Sequence, residues 1–168
     1  MYALQDYLGE QVVNQALASY IHKVGYQDPP YTNSLEFLAE LRKVTPPDMQ
    51  YLLEDMFETI TLFDNRTLSA TYVERGPERF EVTVNVRANK LRANEQGVES
   101  DQPLDDLIDV GVLDDQGRPL ALERKRIQTS PATFTFEVDK RPAKAGIDPF
   151  NKLIDRRPND NVIRVEKQ

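Results

Sequence analysis

Two rhythms of apolar and polar positions divide this chain. From Glu10 to Val24 the apolar residues Val13, Leu17, Tyr20, Ile21 and Val24 return every third or fourth position, the spacing of one face of an α-helix. Gly9 sits where a short opening helix would close, and Gly25 stops the second one. After the Asp28-Pro29-Pro30-Tyr31 turn, Asn33 and Glu36 have capping-box spacing ahead of Leu35, Leu38 and Leu41. Thr45-Pro46-Pro47-Asp48 reads as an N-cap, two prolines whose missing N–H groups cost little, and an acid in the first turn. The helix so opened is expected to run to about Glu58, with Met49, Leu52, Leu53, Met56 and Phe57 toward a core. Amphipathic helices this short must pack on one another or on another body.

Beyond them the period changes to two. Phe80 to Val86, Ile108 to Val112 and Phe134 to Val138 alternate apolar and polar residues, which predicts strands with one buried face. Thr67 to Val73 and Asn161 to Val165 are further candidate strands, and Asp115-Gln116-Gly117 predicts a hairpin turn leading into Leu120-Ala121-Leu122. Leu91 to Leu107 is polar and turn-rich and reads as a long surface loop. The fold expected is α+β: an N-terminal helical subdomain of three to four helices over residues 1–63, then an antiparallel, Ig-like β-sandwich over residues 64–168.

Charge sharpens that division. Residues 1–63 carry 9 acidic and 3 basic side chains, net −6, and residues 64–168 carry 19 and 18, net −1, of a total −7. An acidic balance argues against nucleic acid or an anionic membrane as partner, because both are gripped by clustered Lys and Arg. No apolar run approaches the roughly 20 residues that cross a bilayer, so no direct membrane insertion by this segment is expected. The start, MYALQDYLGE, lacks the basic-then-apolar layout of a signal peptide. With 168 residues and no cysteine, the core must form without disulfides or a Cys-held metal.

Candidate chemistry is sparse. His22 is the one histidine, placed where a helix C-terminus favours a donor, and it has no second histidine or His-Glu-x-x-His around it. Ser19, Ser34, Ser69, Ser100 and Ser130 occupy no nucleophile motif such as Gly-x-Ser-x-Gly. Asp101, Asp105, Asp106, Asp109, Asp114 and Asp115 lack the alternating calcium-loop pattern and read as a solvated loop and strand edge. Arg124-Lys125-Arg126, Lys140-Arg141 and Arg156-Arg157 lie beside Glu123, Asp139 and Asp155 and read as mixed charged surface. Six of the seven tyrosines fall within the first 51 residues, where they are expected to pack with a wet hydroxyl. On residues alone the chain is a non-catalytic helical and β-sandwich unit.

Met1-Tyr-Ala-Leu-Gln-Asp-Tyr-Leu-Gly-Glu10 with Val13, Leu17 and Tyr20 resembles the segment that follows the active-site tyrosine in zinc aminopeptidases of the M1 (gluzincin) family. The likeness continues in Tyr31 to Leu38, in Ala145-Gly-Ile-Asp-Pro-Phe-Asn-Lys-Leu-Ile-Asp-Arg156 and in Asn159-Asp-Asn-Val162. These are similar to the carboxy-terminal end of bacterial M1-like domains fused to ABC-transporter permeases. The resemblance implies a parent metallopeptidase with zinc on His-Glu-x-x-His and a downstream Glu, a Gly-x-Met-x-Asn segment and a Tyr-x-Lys-Gly tyrosine. None of these motifs occurs here, and neither Tyr2 nor Tyr7 fits the last.

It therefore implies no catalytic residue and no metal ligand in this chain, and no cofactor here, the zinc belonging to the parent protein. It implies as partners the N-terminal catalytic half of the same polypeptide and, in the parent, a peptide substrate. Permease helices upstream would tether that parent to a membrane. In it the acidic helices, Glu54, Asp55 and Glu58 among them, would favour the substrate's cationic amine. Two other readings stand beside this one: a free-standing adaptor that binds protein through its strands or basic clusters, and the end of a degenerate, inactive peptidase-like domain.

Overall fold

The computed structural model describes residues 1–168 and has an α+β fold of two compact units, Met1–Ile60 and Thr61–Gln168. The division lies three residues before the position read from the sequence because Ile60–Phe63 forms a strand of the first sheet. No helix is long and apolar enough to cross a membrane.

In the first unit, α1 (Tyr2–Leu8) and α2 (Glu10–Val24) meet at Gly9, whose φ of 93° lies in the left-handed region. α3 (Ser34–Val44) starts at Asn33, whose side chain accepts hydrogen bonds from Leu35 N at 2.9 Å and Glu36 N at 3.3 Å. Thr45 does not open the next helix as expected. Its hydroxyl donates to Leu41 O at 2.8 Å and closes α3 instead. Pro47–Met49 then makes a 3-10 turn, α4 (Gln50–Leu53) one α turn, and Glu54–Glu58 a π-helical turn closed by Thr59 N donating to Glu54 O at 3.0 Å.

That π turn widens the helix and moves Phe57 off the apolar face, so Phe57 is exposed rather than in the core. Ile21 and Leu35, both expected inside, are exposed as well. Leu4, Tyr7, Val13, Ala16, Val24, Leu38, Leu41, Leu52 and Leu53 form the buried set of this unit.

In the second unit, β1 (Ile60–Phe63), β4 (Lys90–Ala93) and β5 (Glu99–Gln102) form one sheet. Another has the order β11-β2-β3-β8, with β2 (Arg66–Gly76), β3 (Arg79–Arg87), β8 (Ala132–Val138) and β11 (Glu166–Lys167). The third has the order β10-β9-β6-β7, with β6 (Asp106–Leu113), β7 (Pro119–Ile127), β9 (Lys144–Ile147) and β10 (Val162–Arg164). The pairings within these two are antiparallel except β11 with β2, which is parallel. Val82, Val84 and Val86 of β3 share one apolar cluster with Ile108, Val110 and Val112 of β6, with Phe136, Ala145 and Ile147 around them.

The segment Leu91 to Leu107 is not the loop expected. β4 and β5 pair there around a turn in which Asn94 Oδ1 accepts from Gln96 N and Val98 N. β6 is also not a strand with one wet face: apart from Leu107, its residues are all buried, since β7 and β9 flank it and the 148–153 turn lies against it. A Cβ added to Gly111 would lie 3.5 Å from Pro149 Cγ.

Candidate functional site

The second unit brings its polar residues together at one place, where β6 meets the Asp148–Leu153 turn. Asp109 points from β6 into the interior and is 3% exposed. It accepts from Arg124 Nε on β7 at 2.9 Å and from Lys152 Nζ at 2.5 Å, and its backbone oxygen accepts from Asp148 N at 2.7 Å. Burial alone would raise the Asp109 carboxyl, but hydrogen bonds from Arg124 and Lys152 outweigh it and hold the group below its ordinary value. Asp148, 1% exposed, accepts instead from backbone: Lys152 N at 2.9 Å and Leu153 N at 3.0 Å. Burial pushes its carboxyl up, and the nearby Asp109 charge adds to that. Two interacting carboxylates are thus driven in opposite directions.

The turn continues into a second knot. Asp155 accepts from Asn65 N and from Arg157 N, each at 2.8 Å, while Phe63 N donates to Ile154 O at 2.8 Å. Asn161 is fully buried; its amide nitrogen, in the orientation its neighbours require, donates to Asn65 O at 2.7 Å and to Asp155 Oδ2 at 3.2 Å. Thr67 Oγ1 donates to Asn161 O at 2.5 Å and accepts from Ile147 N at 3.3 Å. Gly146 leaves room for this crossing: a Cβ there would sit 1.9 Å from Asn161 O. The segment Ala145 to Val162 therefore fastens β1, β2, β6 and β10 to one another; its Asp148 and Asp155 carboxylates are occupied by backbone N–H groups, and Asp160 accepts from Arg66 Nε of β2 at 2.8 Å.

The acids read as a solvated loop and edge are the main correction. Asp106, Asp109 and Asp114 are buried. Asp106 accepts from Lys90 Nζ at 2.9 Å, in a pair that is 9% and 5% exposed, with Lys90 also over the Phe63 ring at 5.9 Å. Asp114 shapes the β6–β7 hairpin by accepting from Arg118 N and Gln116 N, and the Arg118 N–H chiefly holds its carboxyl below the ordinary value. Asp105 stays at the surface under a two-pronged contact from Arg126, which holds it down to about 2. Asp101, at the surface, accepts from Asn89 Nδ2, and Asp115 is exposed. The physical reason is that β6 runs in the middle of its sheet and not at its edge.

Other residues singled out in the sequence are scattered. His22 is exposed in the last turn of α2, and none of the five serines bonds to it. Ser19 donates to Glu40, Ser130 accepts from Ala88 N and Ser100 donates to Arg92 O, while Ser34 and Ser69 lie exposed. No three His, Asp or Glu side chains gather as a metal site needs. Tyr7 is buried, and Tyr20 stacks edge-on against Phe37 with its hydroxyl at Thr32, as expected for packing tyrosines, but Tyr2, Tyr26 and Tyr31 are exposed. Of the acids in the last helical turn, Glu58 pairs with Arg42, and Glu54 and Asp55 are half-buried and engaged.

Arg124 and Arg126 belong to the cross-strand pairs described above, Lys125 pairs with Glu123, and Arg156 with Glu99. Sequence reasoning missed Glu40 altogether. It is 2% exposed on α3 and accepts from Ser19 of α2 at 3.0 Å and Lys43 at 2.7 Å, contacts that hold its carboxyl low, Lys43 first. Its spacing, three residues after Phe37 and four before Val44 on one face of α3, was the available signal for that burial.

What this geometry defines is an α+β protein whose polar interior is built to hold strands together. Neither known family profiles nor curated proteins match the chain.

Proposed function

We propose that this chain is the non-catalytic carboxy-terminal segment of an M1-like zinc metallopeptidase, an aminopeptidase, and scaffolds its substrate cleft. In this reading the helical unit completes the catalytic half and the second unit is an Ig-like β-sandwich that follows it. The observation that supports the reading most is the fate of the residues that carry the resemblance. Asp148, Asp155 and Asn161 bond backbone and one another, and Lys152 bonds the buried Asp109, an architectural use that leaves none of them poised over a substrate. The helical unit adds to it: Tyr2, Ile21, Tyr26, Tyr31 and Leu35 are exposed on a unit of sixty residues, apolar surface that another body would cover. The residues of this chain do not fit zinc, since its one histidine stands exposed and away from any group of acids, so zinc belongs to the proposed partner half.

The reading frame upstream of Met1 tests this. A His-Glu-x-x-His with a downstream Tyr-x-Lys-Gly in the same frame is expected; a stop codon directly before Met1 speaks for the free-standing adaptor. Metal analysis and an aminoacyl chromogenic substrate applied to the 168-residue chain should find neither zinc nor turnover, and stoichiometric zinc or turnover overturns the proposal. In the full-length enzyme, neutralising Glu54, Asp55 and Glu58 should raise the Michaelis constant for aminoacyl substrates; an unchanged constant removes these acids from the cleft.

A further inference from the structure

The second unit pairs most of the cations it carries. Apart from Arg157, those with no ion-pair partner are Lys140, Arg141, Lys144 and Arg164, and the first three of these fall within five residues of chain. Arg164 of β10 stands directly opposite Lys144 of β9 in the strand register. Like charges facing across a strand pair are destabilising, so the fold tolerates a local cost here. Arg141 and Arg164 line the same cleft of about 520 Å³, with Tyr72, Pro142 and Val165 as further walls. Asp115 also lines it but bonds neither arginine, leaving two guanidiniums against one carboxylate. Lys167, close enough to feel the Arg141 charge, is already matched by Glu74 at 2.9 Å.

We infer that this cleft binds a phosphate group. A guanidinium presents a rigid fork of donors, and a carboxylate, with two oxygens, is satisfied by one such fork. A phosphate monoester has three terminal oxygens and enough charge for two forks. It would also relieve the repulsion between Arg164 and Lys144 by placing negative charge beside them. The apolar walls from Tyr72, Pro142 and Val165 fit a small organic remainder attached to that phosphate.

The experiment is a ¹H–¹⁵N titration of the full chain with inorganic phosphate at low ionic strength. Saturable shifts are expected at the Arg141, Ala143, Arg164 and Val165 amides. R141A/R164A should weaken binding at least about tenfold while K125A, on the surface of β7, stays within about twofold. R141K/R164K, which keeps charge but loses the forks, should fall between them and serves if the alanine pair does not fold. Equal shifts at Lys125 and Arg126, or a double variant that binds as well as the parent, overturn the site. Glycerol phosphate and phosphatidylcholine vesicles carrying phosphatidic acid separate the sources. Arginine-dependent binding of the first identifies a soluble ester, and arginine-dependent binding of the second a lipid headgroup; response to neither overturns the proposal.

Discussion

Lys152 occupies a position that a lysine rarely holds, with a side chain 5% exposed and an ammonium shared between burial and the Asp109 carboxylate. Truncating it leaves Asp109 buried with Arg124 as its remaining cation of the pair. K152A should therefore cost about 3 kcal/mol or more, measured as a shift in urea midpoint at constant slope. The two neighbouring carboxylates predict opposite pH responses. Asp109 has a folded pKa below its unfolded value near 3.8, so its contribution is present above that value and is lost as pH falls through the folded pKa; D109N should remove this acid loss. Asp148 has a folded pKa above 3.8, so stability is greatest below that value and declines as pH rises through the folded pKa. Unfolding of D148N should lack that decline, and identical pH profiles for D148N and the parent chain would contradict the assignment. At this scale the sequence is least legible. Asp105 and Asp109 look alike in a run of acids, yet one is exposed and one buried, because β6 takes a central place in its sheet and the cation that meets Asp109 there, Lys152, is 43 residues away.

Among elements, those with a strong local pattern were legible. The alternation in Phe80 to Val86 and Phe134 to Val138 forms β3 and β8, and Asp115-Gln116-Gly117 turns the β6–β7 hairpin with Gly117 at φ 78°. Asn33 caps α3 as its spacing requires. β4 and β5 escaped because Glu99-Ser-Asp-Gln102 holds no apolar residue, so no alternation marks it; the Asn94 to Gly97 turn was the available signal. Thr45 was misread because a threonine before prolines satisfies both an N-cap pattern and a C-terminal hydroxyl bond to the preceding turn, and only packing chooses between them. The β9–β10 crossing depends on a single missing side chain. G146A forces a Cβ to 1.9 Å from a backbone oxygen that cannot rotate away, so it should destabilise by at least about 3 kcal/mol or prevent folding. Thermal denaturation with an unchanged midpoint would show that the strands can part there without loss.

At the scale of the molecule, the two units differ in what they can bury. Thr61–Gln168 has one continuous apolar cluster drawn from two four-stranded sheets and is knotted by the Ala145 to Val162 segment. Met1–Ile60 has nine buried apolar residues, a short α1, and a last helix broken into 3-10, α and π turns, while eight large apolar side chains are exposed on it. A unit of sixty residues with so small a core is marginal alone. This fits the proposed role, a helical piece that gains stability by completing another body, and the −6 charge of residues 1–63 fits a surface that meets a cationic group. The division into a helical and a β part, and its charge asymmetry, were legible from period and composition; the inequality of the two cores was not, because it depends on which of the apolar residues find one another. Native-state amide hydrogen exchange on the full chain measures it directly. Amides of α2 and α3 should open with a free energy at least about 3 kcal/mol below those of β3 and β6, whereas equal protection of helices and central strands would contradict a helical unit built to be completed by a partner.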